Sequence, residues 1–370
     1  MARLGDVCLK ITDGSHNPPQ GVSASEYLML SSKNIFDDAI TLDDPRYLSK
    51  EDFELENKRT QIATGDILLT IVGTVGRAAV VPVLAHNICL QRSVAVLKPK
   101  SETVLPRYLM YQLQSMRAKL EKEAKGVAQK GIYLKQVENL PIRVLSMDEQ
   151  TEIVGSLDIV SNLLSLRKQQ LAELDNLVKA RFVELTEMAP TTPTRMGDIA
   201  TYLNGYAFKP DQWEDKGLPI IRIQNLNNPD AAYNYYSGEL AEKYLVHSGD
   251  VLVSWATHLE AYVWKGESAW LNQHIFKVVF DKMDVDKIYF VFATEEALRQ
   301  AFKNAHGFKP TMEHIKKADF DNAVVKLPPL PVQREFSRFA QQVDKSKLAV
   351  QQSIDQLETL KKSLMQKYFG

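Results

Sequence analysis

The stretch GDILLT at residues 65–70 has a close counterpart in GDVLVS at residues 249–254. In both, a Gly-Asp pair leads into three apolar residues and then a Thr or Ser, which is typical of a strand that follows a turn. The two stretches lie 184 positions apart. A match at that distance calls for a search of the whole chain for a long internal repeat.

Further matches occur in the same order on both sides of this pair. Residues 4–7 match 196–199, 27–35 match 218–226, Leu90-Gln91-Arg92 matches Asn272-Gln273-His274, Tyr108 and Gly126 match Tyr289 and Gly307, and Gln150 matches Gln333. The offset between partners drifts from 192 to 181, as expected if loops absorb insertions. The chain is therefore predicted to be two copies of a unit of roughly 180 residues.

Each copy contains the same order of predicted elements. Strands are predicted where β-branched runs alternate with Gly, Pro and Asn turns, at residues 67–72, 78–81, 93–97 and 142–145, and again at 251–255, 262–264, 275–280 and 323–327. A helix is predicted between the last two strands of each set, at residues 106–122 and 285–304. The predicted fold class is a duplicated α/β (α+β) globular domain.

A long helix ends each copy, at residues 148–187 and 332–369, and its apolar residues recur every seven positions. Such a seam predicts that the two helices pair as an antiparallel coiled coil with pseudo-two-fold symmetry. Charge supports pairing, since residues 148–189 hold four basic and eight acidic residues and residues 331–370 hold seven and four. The alternative is that each helix packs only on its own globular domain. The seam residues are Leu157, Leu164, Leu171, Leu174, Val178, Val343, Val350, Ile354, Leu357 and Leu364.

Composition narrows the class of protein. A chain of 370 residues with 45% hydrophobic and 25% charged residues is typical of globular proteins, which excludes a disordered, collagen-like or membrane protein. Two cysteines, Cys8 and Cys89, are too few for a disulfide scaffold or a thiolate zinc site. The first ten residues show no secretory signal, so we expect a cytoplasmic location and no membrane association.

No catalytic or metal-binding motif stands out. NPPQ at residues 17–20 resembles the Asn-Pro-Pro-aromatic signature of amino-methyltransferases, but Gln20 replaces the aromatic residue, and a turn is the better interpretation. GTVGR at residues 73–77 lacks the Lys-Ser/Thr pair of a P-loop. His306 and His314 are close in sequence but have no neighbouring Cys. We expect no catalytic residue, no metal site and no cofactor in this chain.

A basic loop recurs at the same place in both copies. Residues 117–135 and 299–317 each carry a net charge of +4, and each contains a glycine loop after a helix. Lysines together with exposed backbone amides suit contacts to DNA phosphates, although a solvated charged face is the alternative. The phosphate-contact candidates are Lys125, Lys130, Lys135, Lys303, Lys309 and Lys316.

Polar side chains on the neighbouring loops are candidates for contacts to bases. Arg and Lys suit guanine, and Asn and Gln suit adenine. Asn225 and Gln273 have an alternative role as capping or strand-bridging residues. The candidates are His16, Asn17, Gln20, Lys33, Arg77, Gln91 and Arg92 in the first copy, and Tyr206, Lys209, Arg222, Gln224, Asn225, His258, Gln273 and His274 in the second.

The duplicated chain resembles the specificity subunits of type I restriction–modification systems, over essentially its full length. The motifs that carry the resemblance are GYAFK at 205–209, PIIRIQNL at 219–226, LNQH at 271–274, LRKQQL at 166–171 and LKKSLMQKYF at 360–369. The resemblance implies a non-catalytic subunit with two target-recognition domains that read a bipartite, asymmetric site on double-stranded DNA. The paired helices would set the gap between two half-sites, about one helical turn or ~34 Å apart.

The resemblance also implies partners and cofactors outside this chain. Two modification (methyltransferase) subunits would supply S-adenosylmethionine chemistry, and restriction/translocase subunits would supply ATP- and Mg-dependent translocation and cleavage. The implied division is a recognition domain at 1–147, a spacer helix at 148–189, a second recognition domain at 190–330 and a second spacer helix at 331–370. The prolines of residues 189–194 predict a linker after the first helix.

Two features depart from the family pattern. The second copy has Glu260 where the first has Gly76, so the loop there would contact DNA differently. Arg167 and Arg181 fall on the helix seam, which suggests that part of the stripe faces a partner subunit. Two rival functions remain open, a coiled-coil adaptor whose globular domains bind proteins and a stand-alone methyltransferase.

Overall fold

The computed structural model describes residues 1–83, 87–124, 131–228, 230–256, 260–306 and 317–370, with side chains of the helix ending at His306 described to residue 299. These residues form two units. Unit 1 comprises residues 1–168 and 352–370, and unit 2 comprises residues 169–351. Each unit therefore contains one globular part and segments of both long helices.

Unit 1 is built from eleven short strands and four helices before the first long helix. The strands are β1 Ala2–Arg3, β2 Cys8–Asp13, β3 Tyr27–Leu30, β4 Ile35–Phe36, β5 Ala39–Ile40, β6 Arg46–Leu48, β7 Ile67–Thr70, β8 Ala78–Val80, β9 Asn87–Leu90, β10 Val94–Pro99 and β11 Pro141–Ile142. The helices are α1 Lys50–Thr60, α2 Pro106–Ser115, α3 Arg117–Glu123 and α4 Leu134–Glu138, followed by the long helix α5 Met147–Met188.

Unit 2 repeats much of this order. Its strands are β12 Thr192–Arg195, β13 Thr201–Asn204, β14 Leu218–Ile221, β15 Asn234–Tyr236, β16 Leu245–Val246, β17 Val251–Ser254, β18 Ala261–Val263, β19 Ala269–Leu271, β20 Ile275–Val279 and β21 Val324–Leu327. Its helices are α6 Met196–Ile199, α7 Ile223–Asn227, α8 Lys287–His306, α9 Lys317–Asn322 and the long helix α10 Leu330–Phe369.

The central sheets of the two units have the same strand order. In unit 1 it is β2-β10-β7-β8, and in unit 2 it is β13-β20-β17-β18, antiparallel throughout. A second sheet contains a parallel pair in each unit, β3 with β9 and β14 with β19. This common topology confirms the predicted duplication of a mixed helix-and-sheet domain.

The GDILLT and GDVLVS stretches lie at the centre of each fold. Ile67 and Leu69 face the core under α2, whereas Leu68 faces the core shared with the second sheet. Val251, Leu252 and Val253 divide between two cores in the same way. Because successive strand residues point to opposite faces, an unbroken apolar run is what a strand covered on both faces needs.

The two long helices pack antiparallel within each unit. In unit 2, Asp175 of α5 pairs with Lys347 of α10. Arg181, later in α5, pairs with Glu335, earlier in α10, so the two helices run in opposite directions. In unit 1, Lys168 pairs with Glu358. Of these three pairs, Asp175–Lys347 follows the charge excess of the two segments, whereas in the other two a basic residue of α5 meets an acidic residue of α10.

The predicted seam is largely covered. Buried seam residues include Leu157, Leu164, Val178, Val343, Val350 and Ile354, while Leu171, Leu174, Leu357 and Leu364 are half-buried. Leu157 shares a core with the partly buried Leu364 and Phe369 in unit 1, and Val178 shares one with Val343 in unit 2. Arg181 also bonds to Glu184, so its charge is met within the chain.

The predicted linker needs correction. The helix α5 ends at Met188, as the prolines require, but Thr192–Arg195 forms strand β12, which pairs antiparallel with β21. Pro193 is tolerated because this sheet has only two strands, so each strand is an edge. Its counterpart in unit 1 is the pair β1–β11.

Candidate nucleic-acid interface

In both units the candidate loops begin where a glycine lets the chain cross directly over the backbone of another strand. After β2 and β13 the chain crosses the end of the second sheet, where Ser15 pairs with Gln91 and Tyr206 pairs with Asn272. A Cβ atom on Gly14 would lie 2.1 Å from the carbonyl oxygen of Leu90. A Cβ atom on Gly205 would meet the Asn272 carbonyl oxygen at the same distance, so both crossings require glycine.

The strand pairing corrects the repeat alignment at two places. Ser15 and Tyr206 are counterparts, so Gln91 corresponds to Asn272 and Arg92 to Gln273, one residue away from the alignment made by sequence. Ala78 pairs with Leu69 in unit 1, and Ala261 pairs with Val253 in unit 2. Ala78 and Ala261 are therefore counterparts, so Glu260 corresponds to Arg77 and not to Gly76. At this position the two units therefore carry opposite charges.

In unit 1, three predicted base-contact residues line one cleft of about 650 Å³. They are Gln20, Lys33 and Gln91, and the cleft also contains Arg46 and Tyr47. Lys33 Nζ lies 2.5 Å from Asp44 Oδ2. The hydrogen bond and the positive charge of Lys33 lower the pKa of the Asp44 carboxyl. A concave surface with mixed donors and acceptors is suited to reading base edges.

Arg46 is a residue of this cleft that the sequence did not single out. One of its guanidinium nitrogens, Nη1, donates to the carbonyl oxygens of Pro19 at 2.7 Å and Pro18 at 3.4 Å. It thereby fixes the turn that carries Gln20. No motif surrounds Arg46, and only its place on β6 brings it to the turn.

The other candidates of unit 1 do not line that cleft. Asn17 and Arg92 are exposed on the crossing loops. His16 Nε2 lies 2.8 Å from Asp13 Oδ2, and Arg59 donates to the other oxygen of the same carboxylate. Arg77 lies 4.8 Å above the ring of Phe36 and donates to the Ile35 carbonyl, so it packs along β4.

At the corresponding place in unit 2, aromatic side chains pack into a small core around the buried Phe208. The ring centroid of Tyr206 lies 4.9 Å from that of Phe208 and 5.5 Å from that of Tyr244. The ring centroids of Phe208 and Tyr236 are 5.4 Å apart. Arg222 lies 4.8 Å above the ring of Trp213. These rings pack on one another, so this part of unit 2 differs in chemistry from the polar cleft of unit 1.

The remaining candidates of unit 2 fall into exposed and internal residues. Lys209, Gln224 and Gln273 are exposed. Asn225 is buried, its Oδ1 accepts from the Arg222 amide and its Nδ2 donates to the carbonyls of Ala231 and Ala232, which is the capping alternative. His274 has a positive φ of 76° and its ring lies 4.9 Å from that of Trp255. His258 lies outside the described residues.

Most phosphate-contact candidates also lie outside the described residues, namely Lys125, Lys130, Lys309 and Lys316. Lys303 belongs to helix α8, but its side chain is not among those described. Lys135 is exposed on α4, where Gln136 accepts a hydrogen bond from the Tyr133 amide and so caps the helix. The basic loops therefore stay a prediction, with Lys135 as the accessible test position.

Glu295 of unit 2 is a carboxyl group in an unusual environment. Burial, and then the negative charge of Glu260, raise the pKa of Glu295 to about 7. Its counterpart in unit 1 is the neutral Gln114, which donates to the Ala78 carbonyl. Burial also raises the pKa of the Cys8 and Cys89 thiols to about 12, which makes both unreactive.

Within the ranges given above, no group of three or more His, Cys, Asp or Glu side chains is arranged to hold a metal ion. Over the same part of the chain, every helix is too short or too polar to cross a lipid bilayer.

The two units are alike. Each has a loop that crosses a parallel strand pair and each contains segments of both long helices, so the chain is a duplicated helix-and-sheet protein. The family model of the type I restriction modification DNA specificity domain matches residues 24–176 and 190–359. Because these two matches cover most of the sequence, the chain belongs to that family.

Individual relatives agree with this assignment. The chain is 29% identical over 163 residues to the type I restriction enzyme EcoBI specificity subunit of Escherichia coli, an alignment that covers 42% of this chain and 34% of that relative. The chain thus spans about a third of the length of this curated relative.

Two solved structures share the fold. One is a type I restriction–modification S subunit from M. genitalium, with a TM-score of 0.56 and 12% identity over 100% of this chain and 95% of that one. The other comes from a study of complex assembly and conformational transition of the type I R-M system, with a TM-score of 0.58 and 18% identity over 100% and 96%. At these identities the likeness concerns the fold alone.

Proposed function

We propose that this chain is the non-catalytic DNA-recognition subunit of a type I restriction–modification complex. Each unit reads one half-site of a bipartite target in double-stranded DNA. The observation that carries this proposal is that one frame occurs twice, with the crossing loop at the same place and different side chains beside it. Two different reading surfaces imply two different half-sites, so the target is asymmetric.

The proposal places all chemistry in partner subunits. Two modification subunits bind S-adenosylmethionine and methylate the target, and restriction/translocase subunits use ATP and Mg for translocation and cleavage. This chain brings them to the target sequence and acts in the cytoplasm, where the DNA is. Family membership and the duplicated fold support this assignment.

A mobility-shift assay tests the proposal. The full chain, purified together with its modification subunits, is mixed with duplexes that carry the target found by mapping methylated adenines in the source cell. We expect specific binding that is lost when either half-site is scrambled. Binding that survives the scrambling of one half-site contradicts the proposal, and a complex that ignores duplex DNA but binds other proteins favours the adaptor function.

The phosphate role of the basic loops is tested at Lys135. Replacing Lys135 with Gln should weaken binding to every sequence alike and reduce the slope of log K against log salt by about 0.9. Lys50 on α1 is exposed and far in sequence from the loop, so Lys50→Gln is the matched control. A loss confined to one sequence would mean that Lys135 contacts a base.

A further inference from the structure

One short turn occurs at the same place in both units and exposes its third residue. In unit 1 the Ser31 amide donates to Asn34 Oδ1 at 3.1 Å, and in unit 2 the Arg222 amide donates to Asn225 Oδ1 at 3.1 Å. Both asparagines are buried, so each fixes its turn from inside. The turn starts directly after the parallel strand of the second sheet, β3 or β14.

The exposed residues of these turns are Lys33 and Gln224. Each lies one position before the buried asparagine, and each is solvent-accessible. The hydrogen bonds that hold the turn are made by the residues on either side of Lys33 and Gln224. The side chain at this position can therefore differ between units without disturbing the turn.

The segment facing this turn also corresponds between units. Asn34 Nδ2 donates to the Asp43 carbonyl at 2.8 Å, and Asn225 Nδ2 donates to the Ala231 carbonyl at 3.1 Å. The next residues along, Asp44 and Ala232, are therefore counterparts.

Lys33 and Gln224 contact these corresponding residues, Asp44 in unit 1 and Ala232 in unit 2. Lys33 Nζ lies 2.5 Å from the Asp44 carboxylate, whereas Gln224 Nε2 lies 3.4 Å from the Ala232 carbonyl. Lys33 and Asp44 thus form a donor–acceptor pair, and Gln224 carries a donor and an acceptor on one amide.

The Lys33–Asp44 pair is not a structural ion pair. Its side chains are 53% and 92% exposed, compared with 19% and 8% for Lys98 and Asp66, which lie in the frame of the same unit. Exposed pairs contribute little to stability. The Lys33–Asp44 contact can therefore open at little cost, which leaves both groups available to a ligand.

Base edges in the DNA major groove offer the complementary pattern. A G·C pair presents the acceptors O6 and N7 of guanine beside the N4 donor of cytosine, and adenine presents N7 and N6 as an acceptor and a donor. Lysine donates to guanine and aspartate accepts from cytosine, while glutamine makes two bonds to adenine.

We infer that the position of Lys33 and Gln224 is the main base-reading position of each unit, with Lys33 and Asp44 reading a G·C pair in one half-site and Gln224 reading an adenine in the other. This inference rests on the proposed function. Lys33 shares its cleft with Gln20 and Gln91, which would contact neighbouring bases. Arg46 is a positioning residue, since it holds the turn before Gln20.

Selection from a randomised duplex pool tests the inference. The full chain with its modification subunits is incubated with the pool, and bound duplexes are sequenced for the unchanged chain, Lys33→Gln, Asp44→Asn and Gln224→Lys. Lys33→Gln should lower the preference for G·C about tenfold at one position of one half-site and leave the other half-site unchanged. Gln224→Lys should do the same for an adenine in the other half-site.

Asp44→Asn separates the two members of the pair. It should relax discrimination at the same base pair as Lys33→Gln, because the acceptor for cytosine is weakened. Lys50→Gln is the matched control, since Lys50 is an exposed lysine in an ion pair with Glu54. It should select the same motif as the unchanged chain.

The outcomes distinguish the inference from the proposed function. A bipartite motif that none of the three variants alters overturns the inference and leaves the proposed function standing. An equal loss for all sequences in Lys33→Gln means a phosphate contact and also overturns it. Failure of the unchanged chain to enrich any motif overturns the proposed function and the inference together.

Discussion

Gln150 in unit 1 and Gln333 in unit 2 make matching contacts at the start of a long helix, whereas Gln114 and Glu295, on the preceding helices, differ in charge. Gln150 accepts from the Leu105 amide and donates to the carbonyls of Thr103 and Leu145. Gln333 accepts from the Asp286 amide and donates to the Pro328 carbonyl. Both glutamines are buried.

This contrast separates the conserved frame from the divergent surface. Buried polar residues that satisfy backbone groups recur in both units because an unpaired buried group is costly. The exposed Lys33 makes no such contact with the backbone, and unit 2 has Gln224 at the corresponding position. The two units therefore share the buried contacts of these glutamines and differ at exposed positions such as Lys33 and Gln224.

Two built-in probes allow each unit to be followed separately. All four tryptophans, Trp213, Trp255, Trp264 and Trp270, belong to unit 2, so their fluorescence reports its unfolding. Both cysteines belong to unit 1 and are buried, so their reaction with a thiol reagent reports the unfolding of unit 1.

The largest expected effect concerns Phe336, which is fully buried against Phe182, Tyr289 and Phe292. Phe336→Ala should lower the free energy of unfolding of unit 2 by about 3–5 kcal/mol because it leaves a cavity in an aromatic core. Urea unfolding followed by tryptophan fluorescence measures it. Leu177→Ala, at an exposed position of α5, should change it by less than about 0.5 kcal/mol.

The second effect compares the ion pairs of two equivalent aspartates, Asp66 with Lys98 and Asp250 with Lys277. Lys98→Met should destabilise unit 1 by about 3 kcal/mol, since it leaves the Asp66 carboxylate buried without its cation. Lys277→Met should cost unit 2 less, because Asp250 is 23% exposed compared with 8% for Asp66. Thiol reactivity and fluorescence give the two values, and equal losses would contradict this ranking.

A smaller effect is expected at the paired glutamines. Gln150→Ala removes three hydrogen bonds and Gln333→Ala removes two. We expect losses of about 2 and about 1 kcal/mol, since buried backbone groups lose their partners. Replacement of the exposed Gln273 with Ala is the control. A larger loss in unit 2 than in unit 1 would break the proposed equivalence.

The smallest effect is a pH dependence confined to unit 2. Glu295 has a pKa raised to about 7 from a usual value of 4.5, so folded unit 2 holds a proton that the unfolded chain releases. The stabilisation is full below about pH 4.5 and is lost as pH rises through about 7, on the order of 1 kcal/mol after solvent screening. Urea midpoints by fluorescence at several pH values measure it.

Glu295→Gln copies Gln114 of unit 1 and should remove this dependence. The thiol signal of unit 1 should show no matching change over the same pH range, because Gln114 does not titrate. A midpoint for unit 2 that rises with pH in this window would show that Glu295 is ionised in the folded protein.

Strong periodic signals made much of the fold predictable. The repeat, the central strands and the two long helices followed from apolar runs and a seven-residue seam. Helix α1 was missed because its sequence KEDFELENKRT has little apolar periodicity, although Ser49, which accepts from the Asp52 amide, was a readable cap. Strand β12 was missed because its proline reads as a break.

The candidate site was less accessible to sequence reasoning. Lys33, Gln20 and Gln91 were named, but only the folded chain brings them to one cleft and adds Arg46 and Asp44. The sequence alignment of the two copies was wrong by one residue near Gln91, because it matched Gln91 with Gln273. Strand pairing shows that Gln91 corresponds to Asn272. Tertiary proximity of residues far apart in sequence has no local signal.

The crossings at Gly14 and Gly205 bear on how such a protein can diversify. Each tolerates no side chain of its own, yet the loop that follows carries exposed residues, Asn17 in unit 1 and Lys209 in unit 2. Mutational tolerance is thus concentrated just beyond a single intolerant position. A lineage can alter what one loop recognises by point mutation while the glycine protects the sheet behind it, and the twin loop keeps its old preference.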